Sequence, residues 1–103
     1  MLKVRNIRRL ADYIENEVSS GYFNMGSCSR CIAGQANRLK KWGGGVGAPF
    51  NKAAAWLGLT PKQAFDLFFP ELLCIGLTYG CIDRNYAALV LRRLATTNKV
   101  RWL

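Results

Sequence analysis

KAAAWLGLTPKQAFDLFFP, residues 52–70, divides at Gly58 into two short helices. Asn51 offers an N-cap for the first, which carries AAAWL to the turn. Thr60, Pro61 and Gln63 begin the second: a cap, a proline at the first helical position, and a glutamine three residues on that completes a capping box. Pro70 ends it, because the residue before a proline is pushed out of helical backbone. With Gly58 in a left-handed conformation, Ala54 lies four positions earlier, where a small residue lets two helices cross closely. Leu57 and Leu59 flank the turn and Leu67 faces inward, while Ala64 stands where a branched aliphatic is usual. The layout is that of a helix-turn-helix. This hairpin is expected to be the structural centre, with Trp56 largely buried and Ala54 against the second helix.

Working outward, Val4, Ile7, Ala11, Ile14 and Val18 recur at helical spacing and predict a first helix over residues 4–18, with Leu10 beside the stripe. Arg5, Arg8 and Arg9 fall mainly on its other side, and Asp12, Glu15 and Glu17 follow. Cations at the start and acids later oppose the helix dipole, at a cost of a few tenths of a kcal/mol per charge. Such an arrangement is understandable if the arginines are there for contact. Residues 19–27 read as a loop whose Tyr22, Phe23 and Met25 fold back to the core. A second helix is expected over residues 30–41, with Ile32, Ala33, Ala36 and Leu39 inward and Arg38, Lys40 and Lys41 outward. Gly34 inside it suggests close approach of a neighbouring backbone. GGGVGAP, residues 43–49, reads as a flexible segment. Residues 72–81 fit either a buried loop or a short strand. A last helix starts at Asp83 and runs through Thr96, with Ala87, Val90, Leu91 and Leu94 inward and Arg84, Arg92 and Arg93 facing away. Asn98 suits a left-handed C-terminal position, and residues 99–103 read as an extended tail with Val100 and Trp102 on alternate positions.

The 103 residues make one domain, 1–103, with a globular share of apolar side chains. No apolar run approaches the roughly 20 residues of a membrane helix, no secretory leader is expected, and four cysteines in such a chain are expected to stay reduced in a cytoplasm. Fifteen Lys and Arg stand against six acids, giving a net charge of +9 with no histidine. That field favours anionic partners. It disfavours catalysis, since no histidine is present to act as a base and the acids are scattered.

Three motifs bear on chemistry. The second helix of the hairpin presents Pro61, Lys62, Phe65 and Asp66 outward, whereas a base-reading helix needs Arg, Lys, Asn or Gln there. Only Lys62 and Gln63 qualify, so the hairpin is a poor DNA reader. Cys28 and Cys31 have zinc-knuckle spacing that Cys74 and Cys81 could complete. The second pair is separated by six residues and no histidine helps, so a zinc site on these four is a distant reading; Cys31 and Cys74 sit among apolar neighbours, where a free cysteine behaves as a small hydrophobe. The glycine run lacks the Gly-Lys-Ser/Thr that would make it a phosphate loop. No cofactor or metal is expected.

The segments FNMGSCSRCIAGQA (23–36), AAAWLGLTPKQAFDLFFP (53–70) and NYAALVLRRLATTNKVRW (85–102) resemble a group of short open reading frames of bacteria and their phages. That group carries a CIAG turn, a WLGLT-x-x-QA-x-x-LF block and a last helix ending in Val-x-Trp. Gln35 stands where the group commonly has histidine and Asn98 where it has glycine. The group has no established activity, so the resemblance implies origin rather than chemistry: a phage or mobile-element accessory protein, of a kind that often binds and blocks a host machine such as a CRISPR nucleoprotein complex.

The expected fold is mostly α: a small single-domain bundle of four to five short helices, with at most a minor β pair in the tail. Trp42, Trp56, Phe65, Phe68 and Phe69 are the candidate bulky packers. The expected function is non-enzymatic binding of a host protein or nucleoprotein in the cytoplasm, with no membrane and no small-molecule substrate. Nucleic acid is a further partner that the charge permits. Arg5, Arg8, Arg9, Arg38, Lys40, Lys41, Arg92 and Arg93 are expected to be exposed and to supply the contacts. A DNA-binding regulator using the hairpin is the alternative.

Overall fold

A computed structural model describes residues 1–27, 30–42, 50–73 and 78–102. Among these, five α-helices follow in order: α1 (Val4–Asn16), α2 (Ile32–Lys40), α3 (Phe50–Leu57), α4 (Pro61–Phe68) and α5 (Arg84–Thr97). Short 3-10 turns occupy Pro70–Leu73 and Tyr79–Cys81. The mostly α fold is as expected from the sequence. The described residues contain no strand, so the minor β pair does not form there.

The α3–α4 junction follows from local chemistry. Gly58 has φ +72°, and its N–H donates to Ala55 O at 3.2 Å while Leu59 N donates to Ala54 O at 2.9 Å. That pair of bonds is a Schellman motif, which needs a left-handed residue after the helix. The two remaining orphan carbonyls of α3 are met from α1: Lys3 N donates to Leu57 O at 3.0 Å and Asn6 Nδ2 to Trp56 O at 2.7 Å. All four C-terminal carbonyls of the helix are thereby satisfied. The capping box of α4 is complete, Gln63 N donating to Thr60 Oγ1 at 3.1 Å and Thr60 N to Gln63 Oε1 at 3.0 Å.

The most extensive helix packing lies elsewhere, between α1 and α5. Ile7, Leu10, Ala11 and Ile14 of α1 meet Ala87, Ala88, Val90, Leu91 and Leu94 of α5 in one buried core. Ile32, Ala33 and Ala36 of α2, Ala53 and Leu57 of α3, and Leu67 and Phe68 of α4 close it from the sides. The hairpin is therefore a flank, not the centre. Its helices are eight residues each, whereas α1 and α5 are 13 and 14, and longer helices offer longer apolar stripes to bury.

Several expectations need correction. Trp56 is half-buried, its edge against Trp42 with ring centroids 6.1 Å apart. Phe65 is 45 % exposed, and Trp42 and Phe69 are half-buried. Only Phe68 of the five suggested packers is fully interior: it and Leu67 form the core-facing side of α4, while Phe65 stands on the opposite side. The core is aliphatic instead, with one buried tryptophan: Trp102, whose Nε1 donates to Asp66 O at 2.7 Å and whose ring meets Tyr86. Asn51 lies inside α3 rather than capping it, since the helix begins at Phe50. Arg84 turns inward, its Nη1 donating to Val18 O at 2.7 Å beyond the end of α1. Phe23 and Met25 are buried as the loop reading requires, and Asn98 takes the left-handed position after α5 with φ 61°. The glycine run at 43–49 lies outside the described residues. Among the described residues no helix is long and apolar enough to cross a membrane.

Candidate anion-binding face

Arg5, Arg8 and Arg9 stand on the side of α1 away from the core, and all three are exposed. The core stripe of Ile7, Leu10, Ala11 and Ile14 fixes this orientation, since residues at 3.6-residue periodicity that face inward leave the opposite arc to solvent. Arg5 and Arg9 are four residues apart and Arg5 and Arg8 three, which places their Cβ atoms about 5–6 Å from one another. Together with Asp12, Tyr13, Glu17 and Leu39 of α2, they line an open depression of about 550 Å³.

Arg92 controls the charge of this depression from below. Its Nη2 donates to Asp12 Oδ1 at 2.8 Å and its Nη1 to Glu15 Oε2 at 2.9 Å. The pKa of this guanidinium is raised, first by the hydrogen bond to Glu15 and then by that to Asp12. Asp12 lies one turn beyond Arg8 and Arg9, where it would ordinarily pair with them. Bonded to α5 instead, it leaves the three arginines of α1 without an ion-pair partner among the described residues. The helix adds to the field: its first turn has no acid and its N-cap, Lys3, has no side-chain cap bond, so the positive end of the dipole is uncompensated.

Of the eight expected contact residues, seven are exposed: Arg5, Arg8, Arg9, Arg38, Lys40, Lys41 and Arg93. Arg92 is the correction. Its side chain is 37 % exposed and both its terminal nitrogens are bonded to acids of α1, so it organises the face rather than supplying a free cation. On α2, Arg38 lies over the Tyr22 ring at 4.3 Å from its centroid and Arg30 approaches the same ring at 5.3 Å. Lys40 lies 5.7 Å from the Trp56 centroid. These rings hold the cations outward by cation–π attraction while staying partly exposed. Arg93 belongs to α5 and lies outside the α1 depression.

Tyr13 was not singled out from sequence, and Leu39, expected inward, packs against the core while also bordering the depression. The available signal was Tyr13 standing four residues after Arg9, one turn along the same helix. The pairing of Arg92 with Asp12 and Glu15 had no sequence signal, the partners being 80 and 77 residues apart.

Cys31 is buried, Cys81 is exposed with its Sγ 3.3 Å from Thr78 Oγ1, and Cys28 and Cys74 lie outside the described residues. Among the described residues no three His, Cys, Asp or Glu side chains gather as a metal would require. Gln35 is fully buried, its Nε2 donating to Arg30 O at 3.0 Å.

The polar residues of α4 are engaged within the fold. Gln63 completes the capping box and its Nε2 also donates to Asn98 O at 3.0 Å and to Asn98 Oδ1 at 3.1 Å. Lys62 pairs with Asp66 at 3.1 Å. No family model, curated protein or solved structure matches the chain.

Proposed function

We propose that this is a non-enzymatic basic accessory protein of phage or mobile-element type, which docks on a host protein or nucleoprotein complex in the cytoplasm as an anti-defence, anti-CRISPR-like inhibitor. The observation that carries the docking reading is the row of unpaired arginines on α1. Three cations on one helix, without an ion-pair partner among the described residues and with the neighbouring Asp12 bonded to Arg92, form a standing attraction for an anionic surface. The phage origin and the inhibitory role rest on the resemblance of three ordered segments to phage and bacterial reading frames. The non-catalytic reading is supported by the absence of histidine from the sequence and by the engagement of Asp12, an acid of the depression, and of Glu15 with Arg92.

The alternative, a DNA-binding regulator reading through α4, is weakened by the bonds of that helix. Gln63 and Lys62 are the residues suited to base edges, and each is already engaged with a neighbour. The test is affinity capture from bacterial lysate with the wild type and with Arg5, Arg8 and Arg9 each changed to Glu. Capture of a defined complex that the triple variant loses supports the proposal. A complex retained in full by the triple variant overturns it.

A further inference from the structure

Resting on that docking reading, we infer that the α1 depression takes the backbone of a single-stranded nucleic acid, with phosphates on Arg5, Arg8 and Arg9 and one base stacked on Tyr13. The cations of this row are all arginines, whose planar fork matches the oxygens of a phosphate and stays charged at any working pH. Arg5 lies about 5–6 Å from Arg8 and from Arg9, comparable to the separation of consecutive phosphates along one strand, so a single strand laid along the helix meets Arg5 and then the Arg8–Arg9 pair one turn on.

The floor of the depression separates the anionic partners. Tyr13 and Leu39 place a half-exposed ring and an aliphatic side chain beside the arginine row. A carboxylate-rich protein surface engages the arginines and leaves that ring idle. A duplex does the same, because its base faces are hidden in the stack. An unpaired strand uses both, phosphate on cation and base on ring, which is the usual construction of single-strand binding surfaces. The same pairing of ring and cation recurs along the adjoining segment: Tyr22 beside Arg30 and Arg38, and Trp56 beside Lys40. Arg38 already covers the Tyr22 ring, so what α2 offers a strand leaving the depression past Leu39 is exposed cation, Arg38 and Lys40.

Fluorescence anisotropy tests this with labelled oligothymidylate and oligouridylate of about 15 nucleotides, a duplex of equal length and a polyglutamate peptide. Both single strands should bind at least about tenfold more tightly than the duplex or the peptide, because only they gain from stacking. The logarithm of affinity should fall with the logarithm of salt at a slope near −0.7 for each phosphate engaged. Changing Arg5, Arg8 and Arg9 to Ala should flatten that slope by about two units. Tyr13→Ala should weaken single-strand binding about tenfold, while Tyr13→Phe, which keeps the ring, retains it. Circular dichroism confirms that each variant is folded, and Lys62→Ala serves as a control outside the face. Duplex or polyglutamate bound as tightly as the single strands overturns the inference, as does single-strand affinity unchanged by the arginine or Tyr13 changes. If lysate capture depends on the three arginines but survives nuclease treatment and no oligonucleotide binds, the docking proposal stands and this inference fails. If oligonucleotides bind through the arginines while lysate capture ignores them, this inference stands and the docking proposal fails.

Discussion

The hairpin of α3 and α4 closes on bonds that span three to five residues, from Leu59 N to Ala54 O and from Thr60 to Gln63. The α1–α5 pair closes across most of the chain, through Ile7, Leu10 and Ile14 against Val90, Leu91 and Leu94 and through Arg92 reaching Glu15 and Asp12. The first region is specified by backbone chemistry: a positive φ, a cap, a proline. The second is specified by burial, and one long-range contact ties Asp12, an acid of the cationic face, to Arg92. Local signals give an element its ends, but a surface's charge depends on which distant side chains it meets.

Trp102→Ala probes the point where the two regions join, since its indole lies between Asp66 of α4 and Tyr86 of α5. Loss of a buried tryptophan should cost about 3–5 kcal/mol in urea denaturation, the largest effect of the set. A cost under 1 kcal/mol would mean the tail is not part of the core.

Gly58→Val tests the local logic of the hairpin. A β-branched residue resists positive φ, and a Cβ here would meet Met1 O and lie 2.8 Å from Lys3 N. The bond from Lys3 to Leu57 would have to yield with it. The expected cost is about 2–4 kcal/mol by the same assay. A neutral result would show that the turn can re-form without its left-handed residue.

Thr60→Ala removes the cap of α4 and should cost about 1 kcal/mol. A cost well below that, with Gln63 still bonded to Asn98, would show that the tail rather than the cap holds the start of the helix.

Arg92→Ala separates stability from charge. Its two ion pairs are partly exposed, so the stability loss should be about 0.5–1 kcal/mol. The freed Asp12 is then available to Arg8 and Arg9, so affinity for an anionic partner should drop more than removal of one peripheral cation such as Arg93 would cause. Equal effects of Arg92→Ala and Arg93→Ala on binding would show that Arg92 does not organise the face.

The smallest effect concerns pH. The Tyr79 hydroxyl has its pKa raised from 10.0, first by burial and then by the nearby Glu71 and Cys31. A folded pKa above the unfolded value means that stability is fully present below pH 10 and is lost as pH rises through the folded value. Tyr79→Phe should flatten this alkaline loss relative to wild type in thermal melts between pH 9 and 11. Identical alkaline slopes in the two proteins would remove Tyr79 from the account.

The element boundaries were mostly legible. Gly58, Thr60, Pro61 and Asn98 each carry a backbone preference that any context would respect, and the helices begin or end beside them. The core stripe of α1 was legible for the same reason, periodicity being a property of the helix alone. Burial of aromatic side chains was not. Phe65 and Trp56 look like core by composition, but a helix of eight residues encloses only one face, and which face depends on its neighbours. Arg84 and Arg92 looked like solvent cations, and α1 supplies the carbonyl and carboxylates that draw them in.

By itself the sequence determined a helical chain, the turn and cap that shape its hairpin, a strong positive charge and three arginines on one arc of the first helix. These are local or additive properties, set by φ preference, periodicity and composition. Tertiary structure decided that α1 and α5 form the centre, that Trp102 closes the tail onto α4, and that Arg92 engages Asp12, one turn beyond Arg8 and Arg9, together with Glu15. The reason is physical: burial and ion pairing depend on distance in space, and residues 80 apart in the chain become neighbours only once the core has brought their helices together.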